Sequence, residues 1–172
     1  VELAGVVPNP HLSLVRQGIA LCREQGVDFL LAVGGGSVLD SAKAIGYGVP
    51  YDGDVWDFYE GKAVAQKALP VGAVVTVAAA GSEMSDSSVI TDETTHTKRG
   101  YSNNLGRPVF AIMNPELTRS LPAYPTACGV ADIMMHTLER YLYSPEEEGS
   151  EMTDAIAEGL LRVVMENGRT LT

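Results

Sequence analysis

The stretch AVGGGSVLDSAK at residues 32–43 decides the fold of this chain. The run FLLAV at 29–33 leads into its glycines and is continuously apolar, as expected of a strand that is covered on both faces. A helical pattern follows the glycines as far as Tyr47. A strand, a glycine turn and a helix in this order predict a unit of a parallel α/β sheet.

The segments on either side continue the alternation and then become helical. Further strands are predicted at 1–7, 71–77, 87–91, 97–102 and 109–113, the third and fourth of these as a hairpin. Helices are predicted at 11–25, 52–61, 126–143 and 151–166. Asn167-Gly168 predicts the end of the last helix, and the acidic run 146–148 predicts a solvated loop or a helix start.

Composition excludes several classes of protein. The 172 residues carry 12 Lys and Arg against 22 Asp and Glu, a net charge of −10, which argues against nucleic acid or an anionic membrane as a partner. No apolar run is long enough to span a membrane. Two cysteines without motif spacing do not make a disulfide framework, so a reducing, cytoplasmic location is expected.

The glycine turn is the first candidate site. Gly35, Gly36 and Ser37 allow backbone amides to approach a phosphate, and the following helix directs its positive end there. The spacing is not the G-x-G-x-x-G fingerprint, and a tight turn without a ligand is the alternative. Ser37 and Asp40 also fit a capping box, in which both side chains would satisfy the first helical amides.

Two further groups of residues have both a functional and a structural interpretation. Asp132 and His136 are four residues apart on a predicted helix, so they either chelate a divalent metal or form an exposed helix pair. The small-residue string at 80–83 follows a strand, where parallel sheets bind ligands, but it is equally typical of a packed loop. Hydroxyls of Thr76 and Ser82, with Lys98 on the hairpin, are candidates for ribose and phosphate contacts.

Taken in order, these features resemble the iron-containing (group III) alcohol dehydrogenases, in particular the branch of butanol dehydrogenase-like enzymes and NADPH-dependent aldehyde reductases. The resemblance rests on five strings: GVVPNP at 5–10, AVGGGSVLDSAK at 32–43, AGSEM at 80–84, NPELT at 114–118, and GVAD at 129–132 continuing through His136 to Glu139 and Tyr141.

The resemblance implies a dehydroquinate synthase-like fold of two parts. We expect a partial α/β dinucleotide-binding domain over residues 1–120 and the start of an all-helical metal-binding domain over 121–172. In this family a further strand and helix precede the present first strand, and two more histidine ligands follow. The sequence is therefore expected to be a central fragment whose own metal site is incomplete.

The resemblance also assigns site residues. Those implied to bind the cofactor are Asn9, Gly35, Gly36, Ser37, Asp40, Thr76, Ser82 and Lys98. Asp132 and His136 match the first two metal ligands, and no residue is assigned as catalytic. The implied cofactors are NAD(P), with NADP favoured, and a divalent metal, either iron or zinc.

The implied function is metal-dependent hydride transfer between NAD(P)(H) and a primary alcohol or aldehyde, by an enzyme that forms a homodimer at full length. Three alternatives stay open. One is a relative of the glycerol dehydrogenase or dehydroquinate synthase kind. A second is a nucleotide-binding fragment without catalytic activity, and a third is a plain structural or interaction domain.

Overall fold

The computed structural model describes residues 1–143 and 150–171, so the acidic run 146–148 lies outside the described residues. The chain divides into two compact units. Val1–Thr76 and Gly81–Pro115 form the first, and Val77–Ala80 and Glu116–Thr172 form the second. The predicted boundary falls after residue 120, and the assignment of nucleotide-binding and metal-binding roles to the two parts stays a prediction.

The first unit has α/β architecture, as predicted. Its elements in chain order are α1 (Leu12–Gln25), β1 (Leu30–Gly34), α2 (Gly36–Gly48), α3 (Trp56–Tyr59), β2 (Val71–Val75), β3 (Ser87–Asp92), β4 (Thr97–Ser102) and β5 (Phe110–Ile112). Three strands form a parallel sheet in the order β1-β2-β5, and β3 pairs with β4 as the predicted antiparallel hairpin.

The register of the parallel sheet places the ends of its first two strands side by side. Leu30 lies opposite Val71, and Gly34 lies opposite Val75. The chain leaves β1 into α2 at the same edge where it leaves β2 toward Thr76. Since parallel strands present their carboxyl ends at one edge, both connections contribute to the same place on the sheet.

The core of the first unit lies around α1, α2 and the short helix α3. It is built from apolar side chains that are almost fully buried, among them Leu12, Val15, Ile19, Tyr47, Val55, Phe58 and Ile90. The Tyr47 ring packs edge-on against Tyr101 of β4, with ring centroids 5.2 Å apart, and its hydroxyl donates to the carbonyl of Asn103 over 3.0 Å. Helix α2 and the hairpin are thereby held in one core.

The second unit contains two long helices that pack on each other. They are α4 (Ala123–Tyr143) and α5 (Glu151–Leu171). The prediction that Asn167-Gly168 ends the last helix is wrong, because α5 continues to Leu171. Gly168 is buried, and a Cβ there would lie 2.7 Å from Cγ1 of Val130. This glycine therefore serves the close approach of the two helices.

Two expectations about the first strands are also wrong. Residues 1–7 form no strand: Gly5 turns the chain with φ of 93°, and none of the described strands pairs with the segment. Strand β1 is covered on one face only. Ala32 is buried against α2, whereas Leu31 and Val33, which point the other way, are 55% and 56% exposed.

Across the described ranges, no helix combines the length and apolar character that crossing a membrane requires.

The contact between Gly106 and Tyr47 generates a stability prediction. A Cβ on Gly106 would lie 1.8 Å from the Tyr47 hydroxyl oxygen, and the ring is fully buried and cannot move aside freely. We expect Gly106→Ala to lower the free energy of unfolding by about 1–3 kcal/mol, as overpacking does. The measurement is urea denaturation followed by circular dichroism.

Gly159→Ala is the matched control, since this glycine lies inside α5 and a Cβ there meets nothing within 4 Å. It should leave stability unchanged or raise it by up to about 1 kcal/mol, because alanine is the better helix former. Equal stability of Gly106→Ala and the parent chain would contradict the packing argument.

Candidate cofactor and metal sites

The glycine turn connects β1 directly to α2. Gly35 precedes the helix in an extended conformation, and no side chain of the described residues caps this end. The carbonyl of Gly35 accepts hydrogen bonds from Val38 and Leu39, and a Cβ on Gly36 would meet open space. The first amides of α2 therefore face outward without a side chain over them, as a bound phosphate requires.

Thr76 lies beside this turn. It follows β2, and its backbone amide donates to the carbonyl of Gly34 over 3.1 Å. The aligned ends of β1 and β2 thus bring together four of the predicted cofactor residues: Gly35, Gly36, Ser37 and Thr76.

Asp40, which is partly buried, and Ser82, which is buried, form a hydrogen-bonded pair. The Ser82 hydroxyl donates to Oδ1 of Asp40 over 2.7 Å, and the amide of Val89 on β3 donates to Oδ2 over 3.0 Å. The capping box is therefore wrong, because both carboxylate oxygens of Asp40 bind groups from outside the helix. Burial raises the pKa of Asp40 above its ordinary 3.8, while these hydrogen bonds oppose the rise.

Lys43 is the residue that sequence reasoning missed at this site. Its side chain is fully buried, and its ammonium donates to the hydroxyl and carbonyl of Ser82 and to the carbonyls of Ser85 and Ser87, over 2.7–2.9 Å. Burial lowers the pKa of Lys43, while the charge of Asp40 opposes that. The only sequence signal was its place in the string at 32–43.

The proton of the Ser82 hydroxyl is committed in this arrangement. A hydroxyl has one donor and two lone pairs, and here the donor serves Asp40 while Lys43 occupies one lone pair. The remaining lone pair can accept from a ribose hydroxyl. It cannot bind an ionised phosphate oxygen, which itself needs a donor. Phosphate is better served by the outward amides of α2.

Asn9 and Lys98 form a second pair in the first unit. Nζ of Lys98 donates to Oδ1 of Asn9 over 2.8 Å, and the Asn9 backbone is left-handed with φ of 57°. Thr91, the cross-strand neighbour of Lys98, donates its amide to the carbonyl of Pro10. The hairpin thus holds the Pro8-Asn9-Pro10 turn, and the Lys98 charge acts on Asp40 as well.

Asp132 and His136 lie in the second unit, one turn apart on α4. Asp132 is half-buried and His136 is exposed. A carboxylate oxygen and an imidazole nitrogen at this spacing fit a divalent metal as two of its ligands. Within residues 1–143 and 150–171, no group of three or more potential ligands comes together. The structure therefore supplies a ligand pair, and metal binding by it stays a prediction.

An α/β unit with an open glycine turn, followed by a helix that carries an Asp-x-x-x-His pair, is typical of metal-dependent enzymes that bind a nucleotide cofactor. Residues 1–115 match the family model of iron-containing alcohol dehydrogenases. The chain belongs to this family.

Individual relatives align with nearly the whole of this chain. It is 46% identical over 170 residues to the protein named "Probable NADH-dependent butanol dehydrogenase 2" of Bacillus subtilis, covering 99% of this chain and 43% of that protein. It is 38% identical over 172 residues to the NADPH-dependent aldehyde reductase YqhD of Escherichia coli, covering 98% and 44%. The chain thus spans less than half the length of these relatives.

A solved structure is similar over the same extent. The crystal structure of NADH-dependent butanol dehydrogenase A from Thermotoga maritima has a TM-score of 0.95 and 40% sequence identity, and the match covers 99% of this chain and 42% of that one.

Asp92, at the end of β3, generates a prediction about pH. The hydroxyl and amide of Thr94 and the hydroxyl of Thr95 all donate to its carboxylate, which lowers the pKa of Asp92 to about 2. A carboxylate whose pKa is lower in the folded protein than in the unfolded chain stabilises the fold at pH values above its ordinary pKa of 3.8. That contribution is lost as the pH falls from about 4 toward 2.

We therefore expect Asp92→Asn to be less stable than the parent chain at pH 5 and above, and the difference to shrink as the pH falls below 4. Urea denaturation at a series of pH values from about 2.5 to about 7, which spans the ordinary carboxylate pKa, measures this difference in stability. Asp52→Asn, which alters an exposed carboxylate, is the control and should change little. A difference independent of pH would contradict the role of the ionised carboxylate.

Proposed function

We propose that this chain forms part of a metal-dependent oxidoreductase that transfers a hydride between NAD(P)(H) and a primary alcohol or aldehyde. The observation that carries the proposal is the uncapped glycine turn at the end of β1, with Thr76, Asp40 and the Asn9–Lys98 pair held in the same unit. The family membership and the names of its relatives support it.

Each group has a distinct task in this proposal. The amides at the start of α2 bind the cofactor pyrophosphate, and Lys98, held by Asn9, adds a positive charge. Asp40, Thr76 and Ser82 orient the rest of the cofactor by hydrogen bonds. Asp132 and His136 hold the metal, iron or zinc, together with ligands from elsewhere. A metal held there would supply Lewis-acid polarisation of the substrate oxygen, and a nicotinamide held at the glycine turn would supply or accept the hydride.

Two finer points belong to the proposal. The family resemblance favours NADP, but the relatives' names divide: the Bacillus protein is named as NADH-dependent and the Escherichia protein as NADPH-dependent. Both cysteines, Cys22 and Cys128, are free thiols, which agrees with a cytoplasmic location. A homodimer of the whole enzyme stays a prediction.

Cofactor binding can be tested with Gly36→Val. A Cβ at this position meets no protein atom within 4 Å, so the fold should tolerate a side chain there, and we expect the two methyl groups of valine to cover the outward amides. We expect at least about tenfold weaker binding of NADH and NADPH, equivalent to about 1.4 kcal/mol. Fluorescence titration of the reduced cofactor measures it.

Gly159→Val is the matched control, because it also places valine at a helical glycine with open space around it. It should bind the cofactor as the parent chain does. If Gly36→Val binds NADH and NADPH as tightly as the parent, the glycine turn does not hold the phosphates.

Turnover tests the metal and the reaction together. In the polypeptide expressed from its own gene, supplied with Fe²⁺ or Zn²⁺, butanal should oxidise NADH or NADPH, seen as loss of the reduced cofactor's absorbance. Loss of a residue that only hydrogen-bonds to a metal ligand typically costs roughly 10–100-fold in activity. Because His136→Asn would remove a ligand itself, we expect it to lower this rate by more than that.

His96→Asn is the control, since His96 is an exposed turn residue whose left-handed φ of 53° asparagine accepts readily. Cofactor binding without turnover under either metal would favour the alternative of a nucleotide-binding protein without catalytic activity. Turnover that needs no metal would exclude the proposed role of Asp132 and His136.

A further inference from the structure

Lys43 is a charged group in a place where charge is costly. Its side chain is 0% exposed, on the inward face of α2. Removing an ammonium from water is strongly unfavourable unless hydrogen-bond acceptors and opposite charge replace the solvent. Such a group persists only where the surrounding structure is arranged around it.

The acceptors around Lys43 come from one segment. Four oxygens lie within 2.7–2.9 Å of Nζ, and all belong to Ser82, Ser85 and Ser87, about 40 residues further along the chain. An ammonium has three N–H donors, so with four acceptors every donor is used and one of them is shared between two oxygens. The segment 82–87 is thereby attached to α2 at several points.

A path of hydrogen bonds runs from Lys43 to Asp40. Lys43 donates to Oγ of Ser82, and the same hydroxyl donates to Oδ1 of Asp40. Asp40 lies one turn before Lys43 on α2, close to the glycine turn, and is only partly buried. Since Ser82 is 7% exposed, Asp40 is the member of this path that a ligand can reach more easily.

We propose that Lys43 is a positioning residue of the cofactor site: through the Ser82 hydroxyl, its ammonium fixes the orientation of the Asp40 carboxylate beside the glycine turn. This inference rests on the proposed function, because it assumes that Asp40 contacts the cofactor. Lys43 itself touches neither cofactor nor substrate.

A double-mutant cycle on cofactor affinity tests the path. In the parent chain, Lys43→Met should weaken NADH or NADPH binding about tenfold, because Ser82 and Asp40 lose their fixed arrangement. In the Ser82→Ala background the same substitution should weaken binding less than threefold, because the path is already broken. A purely structural lysine would give the same factor in both backgrounds, and that result overturns the proposal.

Val15→Ala is the control for an effect of lost stability alone. It removes part of a fully buried side chain on α1 and leaves all four oxygens that accept from Lys43 in place. It should destabilise the chain and leave cofactor affinity unchanged at temperatures where it stays folded. Amide hydrogen exchange supplies the second measurement. Lys43→Met should accelerate exchange across residues 82–87 more than across β2, whereas Val15→Ala should not single out that segment.

The two failures can be told apart. A parent chain that binds neither NADH nor NADPH overturns the proposed function, and this inference with it. If the parent chain binds cofactor but Lys43→Met binds equally well, or exchange at 82–87 is unchanged, only the role of Lys43 is overturned.

Discussion

The need to satisfy one buried ammonium organises the first unit. Lys43 cannot stay charged inside the protein without acceptors, and it finds them in Ser82, Ser85 and Ser87. The segment after β2 therefore lies against α2, and the hairpin that follows starts from a fixed point. Val89 of that hairpin then donates to Asp40, so helix, segment and hairpin are connected through two side chains three residues apart.

The parallel pairing of β1 with β2 supplies the second constraint. Their register aligns Gly34 with Val75, so the glycine turn and Thr76 meet at one edge of the sheet. The sheet places the backbone amides at the turn, and the lysine network places the side chains of Asp40 and Ser82 beside it. The start of α2 has no side-chain cap because its N-cap residue is Gly35, which has no side chain, and Asp40 is engaged with Ser82 and Val89 instead.

Local patterns predicted the elements well, because apolar spacing and glycine stops act within a few residues. Predictions failed where the deciding partner is distant in sequence. Residues 1–7 have strand composition but no strand beside them, and Gly168 ends no helix because it faces Val130 across the helix pair. At the site, the resemblance named Asp40 and Ser82. It could not show that a lysine 39 residues from Ser82 joins them.

The acidity of the chain is compatible with the proposed anionic cofactor. The net charge of −10 is a property of the whole sequence, whereas a ligand responds to nearby groups. Beside the glycine turn, the positive charge of Lys98 acts on the Asp40 carboxylate, and the carboxylates of Asp40, Glu83 and Asp86 act on Lys43. The outward amides of α2 add partial positive charge that no pH change removes. An anion at the glycine turn therefore meets a favourable dipole, despite the acidity of the chain.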